Sequence, residues 1–504
     1  MEQAVLEVVQ TINSYLSNYV LIILLLGLGI FFTIRTRGVQ FRFLGEGFRR
    51  VFGGFSLHGG KHRGGISSFQ ALATAIAAQV GTGNIVGACG AILVGGPGAI
   101  FWMWLIALLG MATNYAEAVL AQKTRHVDED GRVHGGPVYY IRTAFTGAGG
   151  KFLAGFFAVA IILALGFMGS MVQSNSIAST MNTAFGIPAW IIGLLVVLVG
   201  GFIFIGGITR IASVTEKIVP IMAVVYLAGG LIVLIMNCQN ILPAFGLIFS
   251  CAFNPQASMG GVTFGLIAAI SQGAKRGLFS NEAGMGSTPH AHAMAKVKDP
   301  HEQGVVAMIG VFIDTIVVVT MTALVVISVL YCGDGPLATA FANAAPGSDP
   351  TDVAAAVTYL GNDGLDKTNM AQAAFGTFFG QGLGNAFVAI CLLFFAFSTI
   401  IGWNLFARIN VEYLFGKKGI KPFFVIALIF IFMGSILSND LVWELADMFN
   451  QLMVIPNAIA LFALSGMVVQ TVNRHHHGEK IEEYDIDESE GAVVEQRLET
   501  MEDK

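Results

Sequence analysis

The sequence predicts an all-α integral membrane protein of about eleven transmembrane helices: one peripheral helix, then a five-plus-five inverted repeat whose first helices are discontinuous. Three observations predict it. The 504 residues are 55% hydrophobic and only 12% charged, about half the charge that a water-facing surface carries. Eleven apolar stretches approach the length that a helix needs to cross a bilayer, and Lys and Arg gather in every second loop between them. The second and seventh stretches are broken by glycine and polar residues.

The scarcity of charge excludes a cytosolic enzyme. A net charge of −5 excludes a nucleic-acid partner, which needs a basic face. Residues 472–504 hold 4 Lys/Arg against 11 Asp/Glu, leaving 23 against 21 through residue 471. A nearly neutral membrane body therefore precedes a solvated acidic tail. Cys89, Cys238, Cys251, Cys332 and Cys391 show neither a disulfide framework nor metal-ligand spacing.

The first stretch, 18–34, follows Glu2 and Glu7 and precedes Arg35 and Arg37. That is the reverse of a cleaved leader's basic start, so it reads as a retained helix. The others are 66–94, 98–122, 151–183, 189–209, 217–237, 261–295, 304–331, 381–414, 422–438 and 443–471. Basic residues follow span one (Arg35 to Arg63), span three (Lys123, Arg125, Arg132, Arg142), span five (Arg210, Lys217), span seven (Lys296, Lys298) and span nine (Lys417, Lys418, Lys421). The alternate loops carry only Lys367. This places the N-terminus outside and the C-terminus in the cytoplasm of a cell inner or plasma membrane. Segment 243–257 is too short to cross and reads as an interfacial or re-entrant helix. Segment 332–380, rich in Gly, Ala, Asn and Asp, has room for short amphipathic helices. The chain then divides into a peripheral helix and cytoplasmic linker (1–65), a first repeat (66–238), an extracellular interfacial segment (239–260), a second repeat (261–471) and the acidic tail (472–504).

Inside a bilayer, unwound backbone is tolerated only where it lines a cavity or binds something. Span two carries Gln79-Val80-Gly81-Thr82-Gly83-Asn84 at its middle, and span seven carries four glycines with Lys275, Arg276, Asn281 and Glu282 between Ser271 and Gly286. With span one peripheral, these two spans open the two halves. Five helices per half is odd, so the halves run in opposite directions, the signature of a secondary transporter with a midplane site. A small-residue packing face also accounts for the glycines; Gln79, Thr82 and Asn84 beside them favour a binding site. An unwound stretch offers carbonyls to a hard cation and N–H groups to a carboxylate. Ser398 and Thr399 in the apolar span nine would complete an oxygen shell or bond back to their own helix.

The run Gly95 to Gly110, GGPGAIFWMWLIALLG, resembles the signature of the alanine or glycine:cation symporter family, the bacterial sodium:alanine symporters. The pieces Val80 to Ile85, Lys275 to Gly284 and Ser398 to Asn404 are similar to that family too. The resemblance covers residues 66–471 and implies the leucine-transporter fold behind one extra helix, with Na⁺-driven uptake of small neutral amino acids, alanine or glycine, and no cofactor beyond the coupling ion. It also implies a Na⁺ site from the carbonyls of Ala77 and Val80 with the hydroxyls of Ser398 and Thr399. The amino acid would lie against Gln79, Gly81, Thr82, Gly83 and Asn84, with Gln173 closing one side. Trp403, on the same helix face as Thr399, would cap the side-chain pocket.

Glu117, Asp314, Arg408, Glu412, Glu444 and Asp447 lie within spans and need partners. Asp314, thirteen residues past His301, sits about 20 Å along its helix. A salt bridge from Asp314 to Lys275 or Arg276 is expected ahead of a proton relay, with Glu282 joining a network at the inner gate. His475, His476 and His477 read as a solvated basic edge at the headgroups. An ion channel would show a repeated filter element, and an intramembrane hydrolase would need more than His290 and His292, which lack an HExxH setting. A proton-coupled transporter of the same fold remains the alternative to Na⁺ coupling.

Overall fold

The computed structural model describes residues 2–53, 66–127, 133–254, 256–359 and 361–476. Lys61, Arg63, Arg132, His477 and the rest of the acidic tail lie outside the described residues. Each of the eleven apolar stretches forms helix. Among the described residues, eight helices are long and apolar enough to cross a membrane: Gln3–Arg35, Gly98–Lys123, Gly147–Phe185, Arg210–Met236, Pro300–Tyr331, Gln381–Phe415, Lys417–Ile436 and Asn439–Ala463. They are spans one, three, four, six, eight, nine, ten and eleven. Span two is a bent pair, Ser68–Gln79 and Gly83–Gly95, turned by 49° at its break. Span five, Ala189–Ile205, is shorter, and span seven is divided into Leu266–Asn281 and Pro289–Ala293.

Several boundaries move from where hydropathy put them. Span one starts before residue 18, because the polar turn ahead of it continues the helix and packs on span eleven, where Asn13 Nδ2 donates to the Glu444 carbonyl at 2.8 Å. Span seven starts after residue 261, because Gln256–Met259 and Val262–Gly265 form an antiparallel pair of strands. Span eleven ends at Ala463, and a separate helix, Ser465–His476, follows. The short segment after span six is a helix, Ile241–Phe253. The long outer segment holds helices Pro336–Asn343, Pro350–Ala355 and Met370–Phe379.

Burial sorts the spans into inner and outer. The central apolar windows of spans three, eight and nine are 67%, 72% and 67% buried, against 33% for span one and 28% for span ten. Span one is thus peripheral. It still docks closely: a Cβ added at Gly29 would stand 2.5 Å from Leu109 Cβ of span three.

Local sequence explains where the inner helices begin and widen. Span two opens with a capping box, Ser67 Oγ accepting from Gln70 N at 3.1 Å and Gln70 Oε1 from Ser67 N at 3.1 Å, so two otherwise orphaned donors are paired. Wide π-helical turns occur at Gly83–Gly87, Ile162–Gly169 and Phe312–Val319. Such turns displace helix faces and recur at functional sites; these three belong to the spans that surround the break in span two.

Candidate functional site

The first half-helix of span two ends at Gln79, where Val80 turns extended at φ −77° and ψ 91°. The loss of helical pairing here is made good by side-chain amides: Asn84 Oδ1 accepts from Gly81 N at 2.8 Å, and Gln173 Oε1 from Thr82 N at 3.0 Å. Gly81 is required by closeness, since a Cβ there would lie 2.3 Å from Thr399 Oγ1 and 3.1 Å from Gln173 Oε1. Gly83 faces span seven instead, its added Cβ 3.0 Å from Ser280 Cα.

The four oxygens expected to share a cation come together. Thr399 Oγ1 donates to the Ala77 carbonyl at 2.9 Å and reaches that of Val80 at 3.5 Å, while Ser398 Oγ is 3.4 Å from the Ala77 carbonyl. Both hydroxyls also lie within bonding distance of Phe395 O, at 2.8 Å from Ser398 and 3.1 Å from Thr399, the back-bonding that the sequence offered as the alternative to a cation shell. All the atoms involved are protein oxygens in a buried setting, the donor type that suits a hard cation.

The two breaks are tied to each other. Gln79 Nε2 donates to the carbonyl of Asn281, the last residue of span seven's first half-helix, at 2.7 Å. Asn84 Nδ2 donates to Asp314 Oδ1 at 2.6 Å, and Ser280 and Thr315 hydroxyls both donate to Asp314 Oδ2 at 2.8 Å. Asp314 therefore joins the breaks through neutral donors. It makes no ion pair with Lys275 or Arg276, contrary to the sequence expectation: those two cations pair with Asp447, at 3.2 Å and 3.0 Å. The Arg276 guanidinium also lies 4.4 Å from the Trp443 ring centroid, beside the Lys367–Asp440 pair. The cluster adjoins Lys367 and Asp440, residues of two loops that the sequence reading puts on the outer side. Helix rotation decides the pairing: Lys275 and Arg276 reach from span seven to Asp447 of span eleven, whereas Ser280 of the same helix reaches Asp314.

Glu282 likewise lacks a basic partner. It sits in the left-handed region at φ 58°, unusual for a residue with a side chain, and begins the unwound stretch before Pro289. Its carboxylate accepts from Trp403 Nε1 and Ser287 Oγ. Trp403 is fully buried, edge-on to Phe279 at 5.6 Å; a Cβ added at Gly169 would be 2.5 Å from Trp403 Cζ3. Trp403 thus joins spans four, seven and nine one helical turn from Thr399.

Sequence reasoning gave Glu117 no role. Here its Oε2 accepts from Gly284 N at 3.0 Å and its Oε1 from Gly286 N at 2.9 Å, with Asn457 Nδ2 at 2.7 Å. An internal anion thereby occupies the donors of the second break. No local signal marks this, because Glu117 and Gly284 are 167 positions apart. Asn404, quoted only as part of a motif, is buried with neither side-chain polar atom partnered among the described residues, as are Gln79 Oε1, Thr82 Oγ1 and Gln173 Nε2. Gln79 and Thr82 belong to the span-two break, and Gln173 touches it through Thr82 N.

A model of the sodium:alanine symporter family matches residues 2–488. The sodium/alanine symporter AgcS of Methanococcus maripaludis is 42% identical over 469 residues, covering 92% of this chain and 95% of its own. The putative sodium/proton-dependent alanine carrier protein YrbD of Bacillus subtilis is 39% identical, with 91% and 90% covered; the probable sodium/glutamine symporter GlnT of the same organism is 37% identical, with 93% and 90% covered. Among solved structures, MhsT in complex with L-phenylalanine superimposes with a TM-score of 0.56 at 13% identity, covering 82% of this chain and 93% of its own. The Eremococcus coleocola manganese transporter gives 0.51 at 15% identity, with 86% and 92% covered. At these identities the likeness is one of fold, and it agrees with the leucine-transporter-like arrangement of broken first helices. The chain is a multi-pass membrane transporter rather than an enzyme, and it belongs to the sodium:alanine symporter family.

Proposed function

We propose that this protein takes up alanine or glycine together with Na⁺ by alternating access, with the N-terminus outside and the C-terminus in the cytoplasm. The observation that carries this reading is the break in span two, where cation-type oxygens of Ala77, Val80, Ser398 and Thr399 adjoin N–H groups held only by neutral amides. An amino-acid carboxylate accepts from such N–H groups favourably at a helix start, and its charge is balanced by the neighbouring cation. Gln79, Gly83, Asn84 and Gln173 supply the polar wall, and Trp403 limits side-chain size. The names of AgcS and YrbD support alanine as the substrate. GlnT indicates that members of comparable identity differ in the size of the guest, which favours a size limit set by side chains such as Trp403.

The test is uptake of labelled alanine into proteoliposomes under an inward Na⁺ gradient. Saturable uptake that collapses when K⁺ replaces Na⁺ is expected; uptake indifferent to that replacement sinks the proposal. Trp403→Ala should admit leucine while weakening alanine, and unchanged selectivity would move the size limit elsewhere.

Proton coupling is a second reading favoured by one observation. Glu117, Glu282 and Asp314 are fully buried and take hydrogen bonds from neutral donors only, so a proton is their available counter-charge. Alanine uptake driven by a pH gradient in Na⁺-free vesicles would support it.

A further inference from the structure

We propose that Glu46, His301 and His475 form a binding site for a divalent transition cation, Zn²⁺ by its donor set. The three come from separate elements: the linking helix Leu44–Gly53, the start of span eight and the C-terminal helix Ser465–His476. The His475 side chain, 29% exposed, stacks on His301 with ring centroids 3.7 Å apart. Arg50 Nε holds Glu46 Oε1 at 2.8 Å, leaving Oε2 3.3 Å from His475 Nε2 and 3.6 Å from His301 Nε2. The ligand atoms all lie within 4.8 Å of one another.

Two features separate this from an ordinary ion pair. His301 is fully buried, and its Nε2 has no hydrogen-bond partner among the described residues. Its other nitrogen, Nδ1, is 2.7 Å from the Tyr115 hydroxyl, the outer bond that fixes the tautomer and aim of a metal-ligating histidine. Ligands about 2.0–2.2 Å from a tetrahedral Zn²⁺ stand about 3.3–3.6 Å from one another, the carboxylate–imidazole spacing present here, and the stacked rings must rotate apart for both Nε2 lone pairs to face one ion. Two imidazoles and a carboxylate, with a fourth position for water, suit Zn²⁺ and not the oxygen-seeking Mg²⁺ or Ca²⁺. Asp299 Oδ2, 3.8 Å from His475 Nδ1, can orient the second ring in the same way.

The experiment is titration of the full-length, tag-free protein in detergent with Zn²⁺ against a chromophoric chelator, and with Co²⁺ read by its visible tetrahedral bands. One ion per chain is expected. Tyr115→Phe should weaken binding about 10- to 100-fold, and Glu46→Gln or His475→Asn by more than that. The double variant His476→Asn, His477→Asn should bind as the parent does. Absence of stoichiometric binding, unchanged affinity in Glu46→Gln, or loss confined to the His476 and His477 variant would each overturn the site, the last by assigning the metal to the histidine tail.

Discussion

The two broken helices solve the same problem with different partners, neutral amides in one and a carboxylate in the other. In span two, the freed N–H groups of Gly81 and Thr82 rest on the neutral amides of Asn84 and Gln173. In span seven, those of Gly284 and Gly286 rest on the carboxylate of Glu117. A carboxylate arriving at the first break meets exchangeable partners; at the second it meets another anion already seated in the donors. The second break is thereby braced from within the chain, and under the proposed function the first is the one left for the guest.

The largest expected effect comes from crowding the first break. Gly81→Ala puts a Cβ against Thr399 Oγ1, and overpacking of about 1–3 kcal/mol corresponds to roughly 5- to 150-fold weaker alanine binding. Gly87→Ala, whose Cβ has nothing nearer than 3.6 Å, should bind nearly as the parent does. Equal effects of the two in a binding assay would break the comparison. Thr399→Ala, which removes one ion ligand, should lower apparent Na⁺ affinity about tenfold, a loss of about 1.4 kcal/mol; Na⁺-activation curves that superimpose would remove the cation from this position.

The second break should respond in stability rather than affinity. Glu117→Gln turns an NH₂ toward one of two glycine N–H groups, and a buried unpaired donor costs about 1–3 kcal/mol. The melting temperature in detergent should fall while the alanine Kd stays within about threefold. Tighter alanine binding in this variant would mean that the guest's carboxylate uses span seven. Lys275→Gln should have the smallest effect, because Arg276 keeps both oxygens of Asp447, at 3.1 and 3.0 Å. Alanine binding lost outright in Lys275→Gln would show that a cation, not the backbone, reads the carboxylate.

The span-two break was legible because its glycines carry polar neighbours within six positions. The span-seven break was bounded only between Ser271 and Gly286, and the helix takes the part of that interval up to Asn281. Its Gly273 serves packing: a Cβ there would stand 2.5 Å from Trp102 Cβ. Glycine thus signals close approach in one helix and unwinding in the other, and only Glu282 and the glycines at 284 and 286, with their positive φ values, mark the latter. Spans and their order followed from hydropathy and loop charge. The partners of Asp314, Asp447 and Glu117 did not, since each is chosen by helix rotation across long sequence separations.

Span nine, Gln381–Phe415, has 35 residues, about 52 Å of helix in a hydrocarbon layer about 30 Å thick. It must lean or protrude at both ends. Ser398 and Thr399 fall about 26 Å from one end and about 24 Å from the other, at the fulcrum of this lever. A thinner bilayer swings the tips and leaves the hydroxyls almost where they were. Changes of lipid thickness are therefore expected to act on the loops at the ends of this helix before they reach Ser398 and Thr399.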